Sequence, residues 1–311
     1  MRKRAKATVL ITGASTGLGL ALAKRLLRSQ RYRLVLTARA ESLSRFREHG
    51  IFGSDEVWIR PLDVRSHAQR VDVVREMELL WGGIDVLVNN AGVAYRAVVE
   101  HMEDADRVDQ MEINFRAPME LIRLALPGMR RRERGRIVTI SSVSGMMAMP
   151  TMSVYSASKF ALEGAHEALW YEVRPWNVFV TLVRPGFIRS ETFRFVRRTE
   201  LSRQGEADVT NAYHAHYRGM GGFIERVMRR FALQDHDDVA KVVARVMRQR
   251  RPPLRVSGTL DAWAFSMLRR LLPRRLYHAL LYRNLPSVRQ WGPKRLLGRD
   301  AQLDRERGLN L

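Results

Sequence analysis

Short apolar runs alternate along this chain with longer segments of helical spacing, and no other feature constrains its fold as strongly. ATVLIT (7–12), RLVLTA (33–38), EVWIRPLD (56–63), IDVLVNNAG (84–92), RIVTISS (136–142), NVFVTLVRPG (177–186) and PPLRVSG (252–258) read as strands. Between them the spacing predicts helices over 17–29, 66–81 and 155–173, and a long one over 104–129 disturbed at Pro118. Val71, Val74, Met77 and Leu80 share one side of the second. Strands this apolar need cover on both faces. The expected architecture is α/β: a doubly wound parallel sheet of about seven strands with helices on both faces.

Composition sets the outer limits. A chain of 311 residues can bury a full core as one large α/β domain or two small ones. Cysteine is absent, which excludes disulfides and thiolate metal sites and predicts a reducing, cytoplasmic location. The eight histidines, His214 and His216 among them, form no ligand constellation, so no metal is expected. No run approaches the roughly 20 apolar residues of a spanning helix. The formal charge of +22 is uneven: residues 241–311 carry 17 basic and 4 acidic side chains. Such a surface can attract polyanions, but no motif with interleaved aromatics accompanies it, and nucleic acid is not the expected partner.

Two segments break the rhythm. Residues 189–235 carry few strand signals and many charges, and 259–311 form a basic extension beyond the last strand. The main domain is expected to span 1–258. In LDAWAFSMLRRLLPRRLYHALLYRNL (260–285), Trp263, Met267, Leu268, Leu271 and Leu272 can share one helical face, resumed after Pro273 by Leu276, Tyr277, Leu280 and Leu281. This amphipathic pair is expected to dock on protein, its own domain or another subunit. Contact with an anionic membrane surface is the alternative.

The chemistry sits where strands end. The first strand runs into TGASTGLG (12–19), whose glycines at 13, 17 and 19 allow a tight turn and close approach to a pyrophosphate at a helix N-terminus. The second ends in Thr37-Ala38-Arg39, with no carboxylate to take a ribose hydroxyl. Arg39 suits a 2′-phosphate, although a solvated arginine is the plain alternative. The third ends in Leu62-Asp63-Val64, where Asp63 can accept from an adenine amino group or cap the next helix. The fourth ends in the polar turn Asn89-Asn90-Ala91-Gly92, and the fifth in Ser141-Ser142. Tyr155 and Lys159 then fall one helical turn apart.

TGASTGLG, LDV, NNAG, ISS, YSASK and RPG occur in the order and spacing of the short-chain dehydrogenase/reductase family, and the chain resembles that family over about 8–190. The resemblance implies a Rossmann-like fold and a catalytic set of Asn114, Ser142, Tyr155 and Lys159. Tyr155 would be the general acid/base, Lys159 its partner, Ser142 the group on the reacting oxygen, and Asn114 the support of a proton-relay water. It implies a dinucleotide held by Gly13, Ser15, Thr16, Gly17, Leu18, Gly19, Arg39, Asp63, Val64, Asn90, Ala91, Gly92, Tyr155, Lys159, Pro185, Gly186, Ile188 and Ser190. With Thr16 uncharged, selection of NADP(H) over NAD(H) would rest on Arg39.

The implied activity is an NADP(H)-dependent interconversion of alcohol and ketone or aldehyde by a homo-oligomer, a dimer or tetramer. A segment over 189–235 would cover the substrate, with Phe187, Phe193, Phe195, Tyr213, Tyr217 and Phe223 on one wall and Met146, Met147 and Met149 on another. Such a lining suits a bulky apolar substrate, and YSASKFALEG resembles the hydroxysteroid and retinol dehydrogenase branch. The other classes open to the sequence are a non-catalytic dinucleotide-binding scaffold and a protein that uses its basic tail on polyanions or membranes.

Overall fold

The computed structural model describes residues 6–190 and 196–292. Its strands are β1 (Ala7–Ile11), β2 (Tyr32–Ala38), β3 (Val57–Pro61), β4 (Val86–Asn89), β5 (Gly135–Ile140), β6 (Val178–Arg184) and β7 (Arg255–Ser257). They form one sheet in the order β3-β2-β1-β4-β5-β6-β7, and every neighbouring pair is parallel. The chain winds outward from β1 to β3, then crosses to β4 on the other side of β1. That reversal places the topological switch point at the carboxyl ends of β1 and β4, where such sheets open a crevice.

The helices are α1 (Gly17–Ser29), α2 (Ser44–Glu48), α3 (His67–Trp81), α4 (Asp104–Met111), α5 (Ala117–Arg131), α6 (Ser153–Val173), α7 (Glu200–Ala207), α8 (His214–Arg226), α9 (His236–Arg248), α10 (Leu260–Leu271) and α11 (Arg274–Arg283). Alternate strand residues feed two cores, as the pleat requires. Val9, Ile11, Leu34, Leu36, Val88 and Val138 pack with Leu22 and Leu26 of α1 and Val239 and Val243 of α9. Leu10, Val35, Leu87, Ile137 and Val180 meet Val74, Met77, Leu121 and Leu169 of α3, α5 and α6 on the opposite face.

The strands stop short of the apolar runs that announce them. Thr12, Asn90–Gly92, Ser141–Ser142 and Pro185–Gly186 have left the sheet and form loops at its carboxyl edge. The single helix expected over 104–129 is instead broken into α4, a π-helical turn at Glu112–Arg116, and α5. Pro118 lies in the first turn of α5 and has no amide hydrogen to give, so the α-helical ladder cannot run through it. The wider turn forms just before it.

The extension docks on its own domain. Ala262, Phe265, Leu268 and Leu272 of the α10 region, with Tyr277 and Leu281 of α11, pack against Val143, Met146 and Met147. The apolar face expected for this helix is therefore split: Leu268 and Leu272 turn inward, whereas Trp263 and Leu271 stay exposed. Residues 293–311 of the extension lie outside the described residues. Among the described residues, no helix is long and apolar enough to cross a membrane.

At the N-terminus of α9 the Asp235 carboxylate accepts from the Asp238 amide at 3.0 Å, and the Asp238 carboxylate from the Asp235 amide at 3.2 Å. This reciprocal cap starts a helix that packs along α1. Asp235→Ala should lower unfolding free energy by about 1 kcal/mol. Urea denaturation should show a lower midpoint with an unchanged slope.

Candidate active site

The crevice is built from loop ends that bind one another. Thr12, just past β1, accepts through Oγ1 from the amides of Asn90 and Ala91, both at 3.0 Å. In return, Asn90 Nδ2 donates to the carbonyls of Thr12 at 2.9 Å and Gly13 at 3.0 Å. Gly13 has φ +64°, and a Cβ there would lie 3.0 Å from Ala91 Cα. A Cβ on Gly19 would lie 2.3 Å from the Gly13 carbonyl oxygen, so α1 can close on the loop only with glycine there.

A dinucleotide fits this end. Thr16 is extended at the α1 N-cap and gives the helix no side-chain hydrogen bond, and the first turn holds no acidic residue. The first-turn amides thus face the crevice with the positive end of the helix dipole behind them. Ser15 is buried in the turn, and Leu18 packs against the core of the α1 face. Arg39 is exposed just past the end of β2 and pairs with Glu41 at 3.2 Å. Asp63 does not cap α3, because Ser66 takes the N-cap position and accepts from the Gln69 amide. Asp63 is held by Arg65 instead, with guanidinium and carboxylate 2.6 Å apart, and that bond keeps its carboxyl below the usual range. Val64 is buried beside it, and its carbonyl accepts from the buried Arg70.

The candidate catalytic side chains converge from three elements. Ser142 leaves β5, Tyr155 and Lys159 stand on the first turns of α6, and Asn114 lies inside the π-helical turn. The Ser142 hydroxyl hydrogen-bonds Tyr155, which opposes the upward push that burial gives the phenol. Lys159 is buried, its Nζ donates to the Ile140 carbonyl at 2.9 Å, and it lies 5.8 Å from the Tyr155 ring centre. Burial pushes the Lys159 ammonium down to about 8, while the Glu163 carboxylate one turn on pulls upward. The Asn114 amide is locked on Val93: Oδ1 accepts from its amide at 2.9 Å and Nδ2 donates to its carbonyl at 2.8 Å. A Cβ on Gly92 would sit 3.3 Å from Asn114 Oδ1 and 4.0 Å from Lys159 Nζ, so both groups meet over that glycine.

A family model described as short chain dehydrogenase matches residues 7–201. The chain belongs to the short chain dehydrogenase family. Retinol dehydrogenase 8 of Bos taurus is 33% identical to it over 286 residues, covering 89% of this chain and 90% of the relative. A solved metagenomic short-chain oxidoreductase in complex with NADP is 28% identical, with a TM-score of 0.61 over 82% of this chain and 98% of that one. A Burkholderia phymatum short chain dehydrogenase/reductase in complex with NAD is 24% identical and shares the fold, with a TM-score of 0.70 over 87% of this chain and 95% of that one.

The site is braced by contacts that the motifs do not announce. Ser158 accepts from Asn114 Nδ2 at 3.1 Å and donates to the Tyr155 carbonyl at 2.7 Å, tying the π-helical turn to α6. Glu163 accepts from Ser141 Oγ at 2.8 Å, from Arg184 Nε at 2.8 Å and from Arg255 Nε at 3.0 Å. Pro185, Gly186, Ile188 and Ser190 follow β6 across the crevice. Ser190 Oγ donates to the Ile188 carbonyl at 3.3 Å.

The expected substrate walls divide. Phe187 and Phe223 meet edge to face at 6.4 Å. Met146 and Met147 are taken up by α10 and α11, and Tyr217 is buried with its hydroxyl accepting from the Val98 amide at 3.0 Å. Phe193 and Phe195 lie outside the described residues.

Only six lysines occur in the chain. Lys159 should therefore stand out in a ¹³Cε NMR titration as a lysine changing charge at about pH 8, well below the ordinary lysine range. The resonance should vanish in Lys159→Met. Six lysines all titrating above pH 10 would contradict the buried site.

Proposed function

We propose that this short chain dehydrogenase is an NADP(H)-dependent oxidoreductase interconverting an alcohol with a ketone or aldehyde on a bulky hydrophobic substrate of the steroid, retinoid or long-chain lipid kind. The observation that carries the reading is the meeting of Ser142, Tyr155, Lys159 and Asn114 at the crevice mouth, opposite an uncapped helix N-terminus. The retinol dehydrogenase relative and the Phe187–Phe223 pair support an apolar substrate.

When bound, the nicotinamide supplies the hydride for the carbonyl carbon. The protein's part is the oxygen. Burial keeps the Tyr155 phenol protonated at neutral pH, so in reduction it holds the proton that the developing alkoxide needs. Ser142, already bonded to Tyr155, donates to that same oxygen and stabilises its charge. Once the proton leaves, the Lys159 ammonium favours the phenolate left behind. Below about pH 8 that ammonium is charged, and above it the support weakens. Asn114 fixes the strand-end loop against α6 through Ser158 and bounds the path by which a proton returns.

Tyr155→Phe should cut turnover by roughly 10²- to 10⁴-fold, the usual worth of a general acid, while leaving cofactor affinity nearly unchanged. Stopped-flow NADPH oxidation against steroid, retinoid, long-chain and aromatic carbonyls, beside equilibrium cofactor titration, separates the two. Full activity without the phenol would overturn the mechanism.

Cofactor choice rests on Arg39, since β2 ends without a carboxylate in its place. A charge-assisted contact with a 2′-phosphate predicts that Arg39→Ala weakens NADPH binding by roughly 10- to 100-fold and leaves NADH binding unchanged. Glu41 competes for that guanidinium, so Glu41→Gln should shift preference the other way. Wild-type protein preferring NADH would sink the assignment.

A further inference from the structure

The extension reaches the site with polar groups as well as apolar ones. At the start of α10, Thr259 stands at the N-cap, but its side chain does not cap its own helix. Its hydroxyl accepts from the Gly186 amide at 2.8 Å instead, while Asp261 Oδ2 accepts from the Phe187 amide at 2.8 Å. The Gly258 amide donates to the Arg184 carbonyl at 2.7 Å, completing a three-rung ladder between 184–187 and 258–261. Gln234 braces both sides: its carbonyl accepts from the Arg189 amide at 2.8 Å and its side chain from the Leu260 amide at 3.3 Å.

The fit is close. A Cβ on Gly186 would lie 2.0 Å from Asp261 Oδ2, so glycine there makes room for the carboxylate. The same helix also packs through Ala262 and Phe265 on Val143, Met146 and Met147, the segment directly after Ser142. One helix thus grips the segments on both sides of the crevice mouth.

We infer that Thr259 and Asp261 are positioning residues, and that the first turn of α10 holds Pro185–Ile188 in the shape that receives the nicotinamide end of the cofactor. The inference rests on the reading of that segment as the nicotinamide site. Two consecutive amides that would otherwise turn freely are committed to side chains from residues more than 70 positions away in sequence. The loop is therefore set before cofactor arrives, and the cost of ordering it is met in folding rather than in binding. On this view the extension is part of the catalytic unit, and removing it removes function even where the sheet still folds.

The test compares whole cofactor with half of it. Calorimetric affinities for NADP⁺ and for adenosine 2′,5′-bisphosphate, which lacks the nicotinamide, are measured for wild type, Thr259→Val and Asp261→Ala. Amide hydrogen exchange is followed at Gly186 and Phe187 in the same proteins. We expect both variants to exchange faster at those amides and to bind NADP⁺ roughly tenfold more weakly, with the bisphosphate unaffected. Thr259→Ser and Asp261→Asn keep an acceptor oxygen and should recover most of the affinity. Unchanged exchange would show that the ladder does not hold the loop. Faster exchange with unchanged NADP⁺ affinity would show that the loop does not hold nicotinamide, which overturns the inference through the reading beneath it. Equal losses for both ligands would reduce the contacts to general stability.

Discussion

A buried ammonium is the constraint around which this active site is assembled. Lys159 is 6% exposed, and an unpartnered cation at such depth costs several kcal/mol. Its direct partner is the Ile140 carbonyl at the end of β5, and its electrostatic partner is Glu163, one turn along α6. Glu163 is buried in turn and would raise the same difficulty with opposite sign. Ser141 just past β5, Arg184 of β6 and Arg255 of β7 resolve it, and Arg255 passes on to Glu167 at 2.5 Å. The buried charge is thus neutralised by steps that run across three neighbouring strand ends. The spacing of Lys159, Glu163 and His166 along α6 lets one helix face carry the whole load. His166 sits below them, pushed down to about 4 by burial and bonded at 2.7 Å to Thr139, and so stays neutral.

The π-helical turn answers a second demand. Asn114 is 1% exposed and must satisfy both ends of its amide on Val93 while still reaching Ser158. A continuous α-helix through 104–129 would bury its apolar stripe equally well, but Pro118 forces a widened turn, and Asn114 lies within it. The irregularity in the helix is the means by which a core element offers a polar side chain to the crevice.

The strands were legible because a strand buried on both faces has little choice but to be apolar, and Val9-Leu10-Ile11 serves two cores at once. The site was legible to the extent that its groups sit at strand ends, where polar residues interrupt apolar runs: Thr12, Asn90, Ser142. What escaped are contacts between segments whose own patterns say nothing of each other. Asp63 looks equally apt for adenine or for a helix cap, and only the fold shows Arg65 taking it. Glu41 beside Arg39, Thr259 against Gly186 and Asp261 against Phe187 are polar pairings with no period to betray them. Tyr217 and the methionines after Ser142 looked like pocket lining because apolar side chains read the same whether they face a ligand or another helix. The amphipathic tail was visible as such, but its inward face was displaced from the expected one. Small Ala262 lies closest to the core, and hydropathy does not weigh it against Trp263.

The arginines that give the chain its charge are also what joins the far ends of the site. Asp109 of α4 accepts from Arg65 at 2.9 Å and from Arg197 at 2.5 Å, and Tyr95 donates to it at 3.2 Å. Arg65 holds Asp63 just past β3, whereas Arg197 belongs to the segment after β6 and pairs through its backbone with Ala94 and Arg96. An isolated surface pair would contribute little. Here one carboxylate, partly shielded between two guanidiniums and a phenol, fixes the loop after β3, the loop after β4 and the segment after β6 relative to each other. Losing it would take the carboxylate from Arg197 and one of two from Arg65 and loosen three segments together, so its worth lies in geometry more than in Coulomb energy. The same logic governs the opposite end, where α10 joins the segment after Ser142 to the segment after β6. Between these two ties the crevice is held at both ends by side chains from outside the motifs.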